Sequence, residues 1–322
     1  MNVDYLPPSW DPPVDESALA EVAHRCAQDG LPVQRQFPLA AATTLGVGGP
    51  AAVYVELADL PAVQAFSRSL RGTTAAQVPL FILGKGSNTL LSDDGFAGVV
   101  VHLGRGHKWL RREGRLVSAG AGEAMPAVAA WVAREGLAGL EFAAGIPATV
   151  GGSVRMNAGA HGGETGGLLR AVELVLPEHG ESCRLERAEA EFGYRRSSLP
   201  ERALVIAAAW ELRPDDPAAI RIRLDELRAW RRGTQPLRER NCGSVFTNPP
   251  GDSAGRLIEA AGAKGLVIGS AQVSMKHANF ITVRPGAKAA DVHALIGAVR
   301  ERVHRGGGPL LEPEVRLVGH FR

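Results

Sequence analysis

Along the first two-thirds of the chain, short apolar runs alternate with Gly-rich turns: "AAVYVEL" (51–57), "VPLFIL" (78–83), "GVVVHL" (98–103) and "RLVSAG" (115–120). Runs of this length, rich in β-branched residues and bounded by turn formers, predict strands. Between them the apolar positions recur at helical spacing over 59–71 and 124–136. A second set of strands is expected at "AVELVLPE" (171–178) and "ALVIAAAWEL" (203–212), ending at "RPDDPAA", whose prolines and aspartates mark a domain boundary. The pattern then restarts. An Arg-rich helix is predicted over 217–232, further helices over 252–262 and 289–304, and strands at "ANFITV" and "EVRLVG". The fold class is therefore α+β, with residues 17–213 as one body split near 105 and 214–322 as a second unit. No internal repeat is found.

Length agrees with this division, because 322 residues exceed what one core usually organises. Charge narrows the partners: 36 Lys and Arg stand against 34 Asp and Glu, so the overall field favours no polyanion such as nucleic acid. Any anion must be bound by local charge. Cys26, Cys183 and Cys242 are too scattered for a disulfide framework or a zinc site, which points to a reducing cytoplasm and no metal. The opening "MNVDYLPPSWDPPVDES" is acidic and proline-rich, unlike a secretory signal, and residues 1–16 read as a flexible tail. No apolar run approaches the roughly 18 residues that would span a membrane.

Candidate chemistry begins at "FILGKGSNTLL" (81–91). Gly84 and Gly86 allow backbone amides to converge into a phosphate nest, and Ser87 and Asn88 add donors. A Walker A loop and a Rossmann fingerprint are both excluded by the spacing, since Thr89 and strand-like sequence follow. A tight hairpin turn uses the same residues and stays open. Two further clusters, "TTLGVGGPA" (43–51) and "GIPATVGGSVRMNAGAHGGE" (145–164), interleave glycine with Ile146, Pro147, Val150, Val154 and Met156. Disordered linkers seldom carry such residues, so a large flat group pressed against this backbone is expected.

In this order, "TTLGVGGPA", "LGKGSN", "GIPATVGGSVRMNAGAHGGE", "EFGYRRSSL", "NCGSVFTNP", "SMKHANF" and "LEPEVRLVG" resemble the UDP-N-acetylenolpyruvoylglucosamine reductases, the MurB family, over about residues 37–319. The resemblance implies a two-subdomain FAD-binding module of the vanillyl-alcohol oxidase type at 17–213 and a substrate domain at 214–322. It also implies noncovalent FAD, NADPH as hydride source, and reduction of UDP-N-acetylglucosamine enolpyruvate to UDP-N-acetylmuramate for peptidoglycan synthesis by a cytoplasmic monomer. By the same resemblance Gly84, Lys85, Gly86, Ser87 and Asn88 cradle the FAD pyrophosphate. Ile146, Pro147, Val150, Gly151, Gly152, Asn157 and Gly159 then lie against the flavin.

Hydride transfer from flavin N5 to the enolpyruvyl group pushes charge onto the neighbouring carbon and its carboxylate, so a cation is needed there. Arg195 in "GYRRSS" matches the family's catalytic arginine; composition alone would make it a surface arginine. The carbanion must then be protonated, and Ser244 in "CGSVFTNP" matches the serine donor, a neutral acid that keeps its proton in a dry pocket. Without the resemblance Ser244 is a turn serine. Glu314 in "LEPEVRLVG" matches the family's glutamate, whose implied role is to orient the substrate carboxylate or a water and hold the proton on Ser244. As a bare strand pattern it would share a face, and a surface ion pair, with Arg316. Cys242 invites a thiol-nucleophile reading, but no histidine lies in its segment.

For substrate capture the resemblance suggests His161, Arg231, Asn248 and Lys276. Three positions depart from the family pattern: Ala148 follows Pro147 where Gly is usual, His161 replaces Tyr, and Thr234 replaces Lys, which leaves that charge to Arg231, Arg232 or Lys276. The chain also passes directly from "SSLPERALVIAAAWELRPDD" to the next helix, which places it with the family type lacking a tyrosine-bearing loop. A flavin oxidase of the same fold, with FAD tethered through a histidine, and a flavin-free nucleotide-binding or Cys-dependent hydrolytic protein are the competing classes.

Overall fold

The computed structural model describes residues 5–6, 9–71 and 78–321. Asp15 caps α1 (Glu16–Gln28) by accepting from the amides of Ser17 and Ala18. The first sheet holds β1 (Val33–Pro38), β2 (Pro50–Leu57), β3 (Leu80–Leu83) and β5 (Phe96–Leu103), with α2 (Leu60–Leu70) after β2 and the short β4 (Thr89–Leu91) outside it. Its order is β1-β2-β5-β3; β5 runs parallel to both neighbours and β1 lies antiparallel at the edge. Alternation sends Val53, Val55, Val99 and Val101 to one core and Ala51, Tyr54, Phe96 and Val100 to another. Strands covered on both faces read as continuous apolar runs, which is why they were conspicuous in the sequence.

After residue 104 the chain builds a second, wholly antiparallel sheet from β6 (Leu110–Glu113), β7 (Leu116–Gly120), β8 (Leu169–Val175), β9 (Ser182–Glu186) and β10 (Leu204–Glu211), in the order β9-β8-β10-β7-β6. Between β7 and β8 lie α3 (Met125–Arg134) and the short α4 (Val150–Arg155), which packs on β10. The two sheets share one apolar core.

Helix α5 (Pro217–Thr234) starts at the Asp216 cap with proline in its first turn. Its buried Ile220 and Leu224 join that same core. The expected boundary at 213/214 therefore precedes a helix that packs on the earlier body, since α5 has its apolar stripe turned toward it. The last unit has its own core and sheet, β11 (Arg240–Ser244), β12 (Val267–Ile268), β13 (Ala271–Val273) and β14 (Phe280–Val283), in the order β11-β14-β13-β12, with α6 (Ala254–Ala260) and α7 (Ala289–Arg305). Several contacts tie it back to the earlier chain. Asp93 caps α7 from outside, accepting from the amides of Ala289 (2.8 Å) and Ala290 (2.9 Å), and β15 (Arg316–Val318) runs parallel to β4.

Where the sequence suggested a free tail over 1–16, the structure holds the chain at Trp10, which bridges to Val318, and at Tyr5, whose carbonyl accepts from Arg300. Apolar and aromatic side chains in that stretch found partners that proline content could not reveal. Residues 1–4 and 7–8 of the expected tail lie outside the described residues. Among the described residues no helix is long and apolar enough to cross a membrane.

Candidate active site

A groove opens at the C-terminal ends of β3 and β5, where parallel sheets characteristically bind ligands. Its narrower lobe, about 700 Å³ of empty space, lies between those strands and α4 and β10 and is lined by Leu80, Leu83, Leu103, Ala203 and Val205 among others. It continues past Gly84, Thr149, Gly152 and Arg155 into a chamber of about 1200 Å³ that reaches the end of α5, β11 and the segment before β15. A body this long, apolar at one end and polar at the other, suits a dinucleotide.

The 84–88 loop forms the floor between the two lobes, and all five of its residues line the chamber. Gly86 adopts φ +57, and the amides of Gly86, Ser87 and Asn88 find no acceptor among the described residues. Successive free amides with Lys85 beside them are the groups an anion cradle requires. At Gly84 and Gly86 packing within the fold also requires glycine. A Cβ on Gly86 would sit 2.7 Å from the Ala42 carbonyl oxygen, and one on Gly84 2.7 Å from Thr149 Oγ1, so these glycines let chain approach chain. Gly152 is the exception. A Cβ there meets only Thr149 Oγ1 at 3.3 Å and would otherwise project into open space at the junction of the lobes. Gly152→Val is accordingly expected to reduce flavin occupancy by at least tenfold at unchanged melting temperature of the flavin-free protein, whereas Gly86→Val should lower both. Absorbance of the purified variants near 450 nm and thermal melts check this; full flavin occupancy in Gly152→Val would remove the cradle assignment.

Three segments bring the expected catalytic residues to one wall of the chamber. Arg195 sits at a hairpin turn with φ +58, a conformation that a non-glycine residue holds only when its surroundings demand it. Its Nε donates to Glu314 Oε1 at 2.7 Å, with both side chains mostly buried at 22% and 15% exposure. Burial pushes the Glu314 carboxyl above its ordinary value, against the opposing pull of Arg195. The Glu314 amide donates to Val245 O at 2.8 Å, so Glu314 lies beside Ser244. A bulge between Asn241 and Ser244, with Gly243 at φ +78, interrupts the pairing of β11, which resumes with Ser244 opposite Phe280, and such a bulge re-aims side chains. Asn88 also stitches this wall to the anion cradle: its Nδ2 donates to Glu314 O at 3.1 Å and its carbonyl accepts from the Arg316 amide. Cys242 is buried two residues away, and burial pushes its thiol up to about 12, so it holds no nucleophilic thiolate.

At the mouth, His161 occupies the tip of the 159–164 hairpin at φ +52, with its ring edge-on to Trp230 at 4.6 Å. Desolvation, then the charge of Arg231, holds its imidazole below the usual histidine range. Arg231 lines the chamber with Nε donating to Gln235 Oε1 at 2.7 Å. Thr234 turns its hydroxyl back to the Trp230 carbonyl, so Gln235 rather than Thr234 faces the chamber at this end of α5.

Four expected site residues stand elsewhere. Val150 is fully buried in the core of the two sheets. Asn157 is a buried strut, bonded to Gly193 O and to the Gly166 amide, and it props the hairpin that carries Arg195. Asn248 is exposed, and its side chain accepts from the Ala254 amide at the start of α6. Lys276 is exposed, with its ammonium on the Arg232 carbonyl. Gly151 lines only the apolar lobe.

The sequence reading missed two cavity arginines. Arg155, inside the glycine cluster, is held by the carbonyls of Leu199, Pro200 and Ala203, and burial lowers it to about 10. Arg316 lines both lobes with its guanidinium 5.7 Å from the Phe81 ring. Its alternation with Glu314 was the available signal for it.

Residues 50–186 match the family model described as FAD binding domain, and residues 235–318 the one described as UDP-N-acetylenolpyruvoylglucosamine reductase, C-terminal domain. The chain is 47% identical over 287 residues to the UDP-N-acetylenolpyruvoylglucosamine reductase of Heliobacterium modesticaldum, covering 88% of this chain and 90% of that protein. It is 46% identical to the enzyme of that name from Alkalilimnicola ehrlichii, covering 88% and 93%. The crystal structure of UDP-N-acetylenolpyruvylglucosamine reductase from Thermus caldophilus superposes with a TM-score of 0.78 at 36% identity, over 89% of this chain and 99% of that one.

Proposed function

The chain belongs to the UDP-N-acetylenolpyruvoylglucosamine reductase family, and from that premise we infer that it reduces the enolpyruvyl ether of UDP-N-acetylglucosamine enolpyruvate to UDP-N-acetylmuramate, with FAD as cofactor and NADPH as reductant, in peptidoglycan synthesis. The observation that carries this reading is the meeting of Arg195, Ser244 and Glu314, from three distant segments, on a chamber that also contains the free amides of the 84–88 loop. Residues 84–88 and Gly152 would hold FAD, the free amides its diphosphate, with the flavin end toward the chamber that Arg195, Ser244 and Glu314 line and the other end toward the narrower lobe. Bound there, FAD supplies the hydride.

The protein's own groups handle charge and proton. Arg195 spends Nε on Glu314, which fixes the plane of the guanidinium and leaves the terminal nitrogens for the substrate carboxylate, where negative charge develops. Ser244 gives its hydroxyl proton to the substrate carbon, its O–H bond breaking as the C–H bond forms, and the alkoxide left behind regains a proton from solvent as the product leaves. A hydroxyl is not ionised at neutral pH, so the proton is still present when the basic carbon forms. Glu314, desolvated beside Ser244, holds Arg195 in its left-handed turn. Arg231 at the mouth meets the anionic remainder of the substrate. We read residues 17–213 as the FAD-binding part and 214–322 as the substrate part, with α5 as the wall between them, in a monomeric cytoplasmic enzyme.

An anaerobic two-step experiment tests the assignment. NADPH should bleach the bound flavin, and UDP-N-acetylglucosamine enolpyruvate should then restore its colour with formation of UDP-N-acetylmuramate. Flavin retained by the denatured chain would instead indicate a tethered oxidase, and a bleached flavin indifferent to the sugar nucleotide would reject the substrate.

A further inference from the structure

Resting on that reading, we infer that residues 5–6 and 9–11 brace the strand behind the active site and that Trp10 is a positioning residue for Glu314 and Arg316. Strand β15 is only three residues long and pairs on one side with β4. Its other edge is covered by Trp10, whose amide donates to Leu317 O at 2.9 Å and whose carbonyl accepts from the Gly319 amide at 2.9 Å. The indole stacks on Phe96 with centroids 5.2 Å apart and lies 6.2 Å from Phe81. Phe81 in turn carries the Arg316 guanidinium on its ring. The same segment reaches the last unit: Tyr5 O accepts from Nη1 of the buried Arg300 on α7 at 2.7 Å. Leu6 fills the space beside Gly297, where a Cβ would approach its side chain to 2.8 Å.

Register gives these contacts a consequence for catalysis. Glu314 and Arg316 face the chamber, while Val315 and Leu317 between and after them are buried in the last core. A slip of one residue would exchange the two sets. Three residues of pairing specify register weakly. Two further backbone hydrogen bonds and an aromatic stack on the open edge strengthen it, and they do so where a displacement of about 1 Å can cost on the order of a hundredfold in rate.

Hydrogen exchange and half-reaction kinetics on full-length Trp10→Ala, Trp10→Leu and Trp10→Phe test the brace. In Trp10→Ala the amide of Gly319 should exchange at least tenfold faster, and so should that of Arg316, which is bonded to Asn88 O at 3.1 Å. Oxidation of the reduced enzyme by the enolpyruvyl substrate should slow about 10- to 100-fold. Flavin occupancy and flavin reduction by NADPH should stay within about twofold. Trp10→Phe should restore most of both effects, with Trp10→Leu between; that pair carries the test if Trp10→Ala does not fold. Faster exchange at Gly319 with Arg316 and substrate turnover unchanged would make the segment a structural strap only. Unchanged Gly319 exchange would remove the brace altogether. Failure of the wild-type enzyme to turn over the substrate would reject the reaction while leaving the two amides to decide the brace.

Discussion

Ser244→Ala is expected to slow oxidation of the reduced enzyme by the enolpyruvyl substrate by roughly 10²–10⁴, the usual worth of a positioned acid, while flavin reduction by NADPH stays near the wild-type rate. The asymmetry follows from chemistry, because only the second half-reaction delivers a proton to a substrate carbon. Structure supplies the rest. Ser244 lines the chamber just past the bulge in β11, and its neighbour Val245 receives the Glu314 amide, which brings Ser244 beside the segment that carries a desolvated carboxyl. Ser244→Cys should recover part of the loss, since a thiol is a stronger acid but longer and softer. Stopped-flow traces of both half-reactions decide the matter. Oxidation of Ser244→Ala at the wild-type rate under saturating substrate would place the proton elsewhere, with Glu314 next in line.

Arg195→Met should cost about 10²–10³ in the same step, the scale for removing one donor from a developing oxyanion, and it should change stability in a pH-dependent way. Burial already raises the Glu314 carboxyl above its ordinary value, and Arg195 is the group that pulls it back. Without Arg195 the folded-state pKa rises further. A carboxyl whose folded pKa exceeds its unfolded one contributes stability that is fully present below the unfolded value and is lost as pH rises through the folded value. Arg195→Met should therefore be least destabilised near pH 4 and most destabilised near pH 8. Adding Glu314→Gln should flatten that difference. Thermal melts of wild type, single and double variants across this range test it; a gap in melting temperature that is constant with pH would show that Glu314 is not the coupled group.

How much of this was legible beforehand depends on the distance over which each feature is determined. The strands at 51–57 and 98–103, the helices at 59–71 and 289–304, and the glycine loops at 84–88 and 145–164 follow from neighbours a few residues apart, because strands covered on both faces read as continuous apolar runs, a helix with one buried face has a period of 3.6, and turns gather glycine. Family resemblance pointed to Arg195, Ser244 and Glu314, each within a short fragment. Pairing was not legible. Glu314 alternates with Arg316, which invites a local ion pair, yet it bonds Arg195 across 119 residues, while Arg316 turns toward Glu201 at 4.0 Å and the Phe81 ring. Asn157 carries the same side chain whether it contacts a ligand or props a hairpin, and only the approach of Gly193 and Gly166 makes it a prop. Trp10 sits among prolines that suggest a loose tail, and its partners Leu317 and Gly319 lie at the other end of the chain. Sequence by itself determined the elements and the loops whose glycines free backbone amides, since these depend on side-chain chemistry and local period, while the expected reacting groups came from family resemblance alone. Tertiary structure alone decided which charges neutralise each other, which glycine faces open space and which residues brace the wall, because those depend on where distant segments meet after the chain has folded.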